Sequence, residues 1–324
     1  MSLVEVSHYT IQLFGTNKYD GIRTSVFHIQ KGKESGGTME AAKMLELSAQ
    51  SKYQHNMFVA PIEKGSNTVG VHGSDGLHYS LRCFSRTTEI TVPPLWVFGA
   101  APLVSHGPEK QQPGRSVYIV EGNGQQSNIT ELPEPSTRGH IQRAVVSIDE
   151  PYGSLPGNDA LVHERIILTN VLGRPQSSGN WRDVQVDYIN SHRTLVVYDG
   201  KMSPETLQTL APMYASLTLL AIEQLNIDTV VVCAQHKATG GLLVRAFLPM
   251  QAYTEALMPV SATPYLRHPW APSAVQSVFE ISWFFDEKPC RIIKVSRQSA
   301  TSNGSTRVEL MARAEATLTR TIYV

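Results

Sequence analysis

Leu77-His78-Tyr79-Ser80-Leu81-Arg82-Cys83-Phe84, then Ser85-Arg86-Thr87-Thr88-Glu89-Ile90-Thr91-Val92, then Pro93-Pro94-Leu95-Trp96-Val97-Phe98-Gly99-Ala100-Ala101, is patterned as a strand, a polar turn and a helix. Leu77, Tyr79, Leu81 and Cys83 alternate with polar neighbours, the period of a half-buried strand. Asp75-Gly76 just before them is a hairpin-turn pair. Pro93-Pro94 predicts the start of a short apolar helix, because proline fits a first helical turn where its missing N–H is not needed. A strand, a polar turn and a helix N-terminus meeting at one point make a cradle for a ligand. By pattern alone, the stretch also fits a buried strand-turn-helix of any mixed domain.

Working outward, Tyr9–Phe14 and Thr24–Ile29 predict strands on either side of a turn-rich loop. A helix is expected from Met39 to about Ser51, capped by Thr38. Met57–Ala60 returns as a strand, and Ser116–Glu121 is another. Residues 122–139 are rich in Gly, Gln, Ser and Pro and predict a surface loop or linker. The second half repeats the grammar of the first: a strand at 144–148, a helix from Asp159 to Leu172 closed by Gly173, and strands at 184–189 and 194–198. Ser203 caps a helix with Pro204 at its first position, broken at Pro212 and resumed through Leu225. Strands follow at 229–234 and 242–248, and 263–275, with Pro264, Pro269 and Pro272, is irregular. Late strands are expected at 278–285, 292–296, 307–311 and 319–324. Two similar strand-rich halves argue for an α+β protein.

The chain has 324 residues, enough for two ordinary domains. Lys+Arg and Asp+Glu number 28 each, so no long-range field gathers nucleic acid or an anionic membrane. Neither partner is expected. The three cysteines, Cys83, Cys233 and Cys290, are far apart, which excludes a zinc knuckle or a disulfide framework and predicts reduced, buried thiols. The first residues lack the basic-then-apolar pattern of a secretory signal, and a cytoplasmic protein is expected. His72, Asp75 and His78 are metal-like by type but straddle a turn and are expected to face solvent. No nucleotide, flavin or nicotinamide fingerprint is present, and no nucleophile elbow; no cofactor is expected.

The first strand-loop-strand, the opening stretch, Ser147-Ile148-Asp149-Glu150-Pro151 and the final strands together resemble the phenazine-biosynthesis PhzF-like isomerase family, whose fold is similar to that of diaminopimelate epimerase. The resemblance spans nearly the whole chain. It implies two similar domains, each a mixed β-sheet wrapped around a central helix, with residues 1–125 in the first and 140–315 in the second. It also implies that the C-terminal strand, 316–324, returns to the first domain, that the active cleft lies between the domains, and that the chain forms a homodimer.

The family's catalytic positions are altered here. Its Asn-Leu-Ser-Glu-Thr-x-Phe-like motif aligns with Lys52-Tyr53-Gln54-His55-Asn56-Met57-Phe58, so His55 stands at the glutamate position. Its Gly-His at the helix start is replaced by Pro94-Leu95. Its Glu-Asp-Pro-Val-Thr-Gly-Ser-Ala motif aligns with Glu255-Ala256-Leu257-Met258-Pro259-Val260-Ser261-Ala262, where Glu255, Ser261 and Ala262 persist. Neither cysteine position of the epimerase relatives holds a cysteine, which excludes racemisation by two thiols. An imidazole at His55 gives or takes a proton near neutral pH; a polar surface role fits the residue too. Ser261 is the expected hydrogen-bond donor to a carbonyl, or the cap of the segment after it. Leu95, Trp96 and Met258 make the motif positions apolar, which suits a larger, less polar ligand or simple packing. Trp96 is the candidate for stacking on that ligand. Arg23 is placed to hold a carboxylate or enolate oxygen, and Tyr53 and Glu255 are further candidate contacts.

The resulting expectation is a cofactor-free isomerase or cyclase of specialised small-molecule biosynthesis, acting on an apolar conjugated substrate. A pericyclase such as a Diels–Alderase would work by placement and carbonyl polarisation alone. Two alternatives stay open: a proton-shifting isomerase with His55 as base, and an inactive ligand-binding or scaffold protein of the same fold.

Overall fold

The computed structural model describes residues 4–17, 19–30, 39–62, 77–90, 96–105, 117–121, 128–132, 141–148, 152–153, 160–173, 183–189, 193–213, 215–251, 254–255, 263–267, 269–270, 278–285, 288–298 and 306–324. In chain order the elements are β1 (Glu5–Leu13), β2 (Ile22–Ile29), α1 (Ala41–Ala49), β3 (Asn56–Pro61), β4 (Leu77–Phe84), β5 (Glu89–Ile90), α2 (Val97–Ser105), β6 (Val117–Glu121), β7 (Asn128–Leu132) and β8 (Ile141–Ile148). Then come β9 (Tyr152–Gly153), α3 (Ala160–Leu172), β10 (Val184–Ile189), β11 (Thr194–Asp199), α4 (Pro204–Gln208), α5 (Ser216–Gln224), β12 (Thr229–His236) and β13 (Gly241–Leu248). The last are β14 (Thr254–Glu255), β15 (Val278–Phe285), β16 (Lys288–Gln298) and β17 (Thr306–Tyr323). Two compact units result: Met1–Ser147 with Lys288–Ile293 and Val308–Val324, and Ile148–Glu287 with Lys294–Arg307.

In the first unit the strands close on themselves. β1 pairs antiparallel with β17 on one side and β2 on the other. β2 runs parallel to β3, β3 antiparallel to β4, and β4 parallel to β6. β6–β7 and β7–β8 are antiparallel, and β8 meets β17 to complete the ring. α2 fills it. Its Val97, Phe98, Ala100 and Ala101 are fully buried, as a helix apolar on every side requires when it is walled in. Gly99 makes the fit possible: a Cβ there would lie 2.2 Å from Met57 Cε on β3. Met57 therefore points inward, and its neighbour Phe58 points outward to α1.

The outer face is a second core. Val6, Phe27, Ile29, Phe58 and Phe84 pack against Met44 and Leu47 of α1. Phe27 and Phe58 stack at 4.7 Å, and Phe84 meets Phe58 edge-on at 5.4 Å, geometries aromatic rings favour. α1 is shorter than the sequence predicts: it begins after Glu40, which makes no side-chain cap, and ends at Ala49. Thr38 and Pro93-Pro94 lie outside the described residues.

The second unit repeats these pairings. β10–β11 is antiparallel, β11–β12 parallel, β12–β13 antiparallel, β13–β14 a two-residue antiparallel hook, and β13–β15 parallel. That is the order of β1–β2, β2–β3, β3–β4, β4–β5 and β4–β6. The likeness reaches single residues. Arg82 lies over the Phe84 ring at 5.3 Å and Arg245 over Phe247 at 4.9 Å. Phe84 is paired with Glu89, and Phe247 with Glu255. Ile167, Leu168 and Val171 of α3, Leu207 of α4 and Ile222 of α5 cover one sheet face. Ser203 caps α4 by accepting from the Thr206 N–H, as its sequence predicts, and Gly173 ends α3 at φ 64°. After β14 the described residues form a 3-10 turn, Thr263–Tyr265, where the first unit has α2. Pro264 inside this turn and Pro269 after it do not favour a longer helix.

Three local readings are corrected. The expected linker 122–139 contains β7, paired with β6 through Asn128–Leu132. α4 stops at Gln208, before Pro212, with Thr209 as its C-cap. The two expected final strands are one strand of 18 residues, since the Ala- and Thr-rich middle of β17 is held by pairing with β1 rather than by its own patterning. No helix of the described residues is long and apolar enough to cross a membrane.

Candidate active site

β2 and β3 start side by side, with Ser25 in register with Asn56. The loop from Ser51 to His55 enters β3 at this edge. Its backbone is held by side chains. Thr24 Oγ1 donates to the His55 carbonyl at 2.7 Å. The Tyr53 N–H donates to Ser51 Oγ at 3.1 Å, and Asn56 Nδ2 donates to the Tyr53 carbonyl at 3.4 Å. The His55 ring lies 5.5 Å from the Trp96 ring, tilted by 53°. Trp96 immediately precedes α2, so β2, β3 and the helix start converge on the imidazole.

His55 is half-buried, and burial lowers its pKa below the ordinary histidine value. The ring is therefore neutral at neutral pH, with a lone pair able to accept a proton. Trp96 is 2% exposed, so it forms a wall behind His55 with almost no open face of its own. Tyr53 is half-buried, under the Lys52 ammonium at 5.1 Å from its ring. Arg23 is exposed on β2, beside the buried Thr24. Glu255 lies in β14 opposite Phe247. Leu95, Met258 and Ser261 fall outside the described residues, as do His72 and Asp75.

Thr24, Ser51 and Asn56 were not singled out from the sequence. Asn56 is fully buried, and its Oδ1 has no hydrogen-bond partner among the described residues. The available signal was a polar residue opening an apolar run, Asn56-Met57-Phe58-Val59. Among the described residues no group of His, Cys, Asp and Glu is arranged to hold a metal ion. Cys83, Cys233 and Cys290 are free and buried. Burial raises the Cys233 thiol and pushes Cys290 up to about 12, so both stay protonated and unreactive. In the second unit, Arg267 grips Asp187 through Nε at 2.6 Å and through Nη2, and its N–H donates to the Tyr198 hydroxyl. Burial raises the Asp187 pKa against the pull of Arg267. This pair, with only Asp187 buried, pins the segment after Thr263–Tyr265 to the sheet.

The chain is similar in fold to solved structures over nearly its whole length. A phenazine biosynthesis protein of the PhzF family from Bacillus anthracis has a TM-score of 0.62 at 13% identity, covering 100% of this chain and 99% of that one. A phenazine biosynthesis PhzC/PhzF protein from Clostridium difficile (strain 630) has a TM-score of 0.59 at 16% identity, covering 99% and 100%. A hydroxyproline epimerase from Agrobacterium vitis, with bound trans-4-OH-L-proline, has a TM-score of 0.51 at 8% identity, covering 100% and 92%. No family model matches the sequence, and no curated protein does. The fold is the PhzF-like, diaminopimelate epimerase-like one.

Proposed function

We propose that this protein is a cofactor-free isomerase of small-molecule biosynthesis, and that His55 moves the proton. The observation that carries the reading is the half-buried imidazole backed by Trp96 on a loop tied down by Thr24. A neutral imidazole removes a proton from carbon next to a carbonyl. The resulting imidazolium returns it to another carbon of the same conjugated system, so the substrate gains and loses nothing. Arg23 is the group proposed to hold the developing enolate or a carboxylate. Ser261 is a candidate second donor, and Tyr53, Leu95, Met258 and Glu255 are further candidate contacts. These roles rest on motif position.

A second reading, a pericyclic cyclisation, is favoured by Ala256 at the aspartate position of the aligned motif and by Pro259-Val260 at its Thr-Gly. One experiment separates them: incubation with conjugated unsaturated carbonyl compounds in deuterium oxide, with products read by mass spectrometry. A proton shift puts deuterium on carbon, and His55→Gln slows it by about 10²–10⁴-fold. Undiminished turnover by His55→Gln refutes the proton-shift reading. A cyclised product free of deuterium supports the second, and binding without turnover removes both.

A further inference from the structure

The loop that carries His55 is tied to a second histidine on the neighbouring strand. His8, half-buried on β1, stacks on Phe27 at 4.6 Å with the rings 13° from parallel. Its Nε2 lies 3.0 Å from Ser25 Oγ on β2. Ser25 Oγ lies 3.0 Å from Ser51 Oγ, which accepts the Tyr53 N–H at 3.1 Å. One polar chain thus runs from β1 across β2 to the backbone two residues before His55. The adjacent β2 residue, Thr24, reaches the His55 carbonyl itself.

Hydrogen counting orients the first bond of this chain. His8 Nδ1 is buried with no hydrogen-bond partner among the described residues. A buried N–H without an acceptor is rarer and costlier than a buried lone pair without a donor. The proton therefore sits on Nε2, which donates to Ser25. Ser25 and Ser51 share a hydrogen bond in which either hydroxyl can donate, and Ser51 Oγ also accepts the Tyr53 N–H.

We infer that His8 and Ser51 are positioning residues for His55: through Ser25 they fix the 51–55 loop so that the imidazole is held against Trp96. This deepens the proposed function and rests on His55 being the working group, but its test needs no turnover. In the full chain, the His55 ring is titrated by NMR and exchange of the Tyr53 amide is followed. Ser51→Ala should speed Tyr53 exchange by about tenfold and move the His55 midpoint up by about half a pH unit, as the ring leaves its buried position. Ser51→Thr, which keeps the hydroxyl, should leave both near wild type. His8→Phe, which keeps the stack on Phe27 but removes the donor, should shift both in the direction of Ser51→Ala. Unchanged His55 titration in Ser51→Ala, or Ser51→Thr behaving like Ser51→Ala, overturns the inference. A loosened loop in Ser51→Ala together with full activity in His55→Gln would instead keep the network and reject the catalytic reading.

Discussion

Replacing Gly99 with alanine tests how tightly α2 is held inside its ring of strands. The new Cβ would sit 2.2 Å from Met57 Cε and 2.9 Å from Met57 Sδ, against an ordinary carbon contact of about 3.5–4.0 Å. Met57 is fully buried, so its thioether has to find another rotamer in filled space. Overpacking of this kind costs about 1–3 kcal/mol, and the better helix propensity of alanine returns about 1 kcal/mol, leaving a net loss of about 0–2 kcal/mol. Met57→Ala alone should cost about 2–4 kcal/mol through the space it vacates. Together the two changes relieve each other, because the alanine methyl enters the room the thioether leaves. The double variant should therefore be more stable than the sum of the single effects by at least about 1 kcal/mol. Native-state hydrogen exchange of the β3 amides reads the first unit by itself. Strict additivity of the two changes would refute the enclosed placement of α2.

Two further outcomes follow from buried ionisable groups. His8 has its pKa lowered to about 4, by burial first and then by Arg320 and Lys52. Below pH 6.5 the unfolded chain takes up a proton that the folded chain refuses. Stability from this group is therefore full above pH 6.5, is lost as pH falls towards 4, and is constant below that. Allowing for partial solvent contact, the loss is about 1–2 kcal/mol, and His8→Gln should remove that part of the pH dependence in urea titrations between pH 7 and 4. Arg143 on β8 binds Glu309 on β17 through Nε at 2.8 Å, and Glu309 is 8% exposed. Glu309→Ala should cost about 2–3 kcal/mol by leaving a guanidinium at the seam that closes the ring, measured by exchange of β8 amides. A loss below about 0.5 kcal/mol would mean the pair is merely a surface contact.

Most strands could be read from the chain because their own residues alternate. β4 shows this plainly, with Tyr79, Leu81 and Cys83 buried on one face. The middle of β17 could not, because Ala312-Arg313-Ala314-Glu315-Ala316 carries little strand preference and is set by its partner β1. β7 was hidden by the Gly- and Pro-rich residues on both sides of it. At the candidate site, His55 was visible because it occupies a motif position, and Trp96 because it opens the apolar helix. Their 5.5 Å approach was not visible, since it depends on β2, β3 and α2 meeting in space. Ser51 and Thr24 look like ordinary loop and strand hydroxyls until the backbone groups they hold are seen.

The recurrence of Arg82-Cys83-Phe84 in Arg245-Ala246-Phe247, each with a glutamate across from the phenylalanine, points to an ancestor of half this size that was doubled and fused. A gene built that way carries spare parts. One half could keep its plug and acquire an imidazole, as long as the shared framework survived in both. The two-residue hook that sets a glutamate opposite the phenylalanine recurs in both halves, a piece of framework that each inherited.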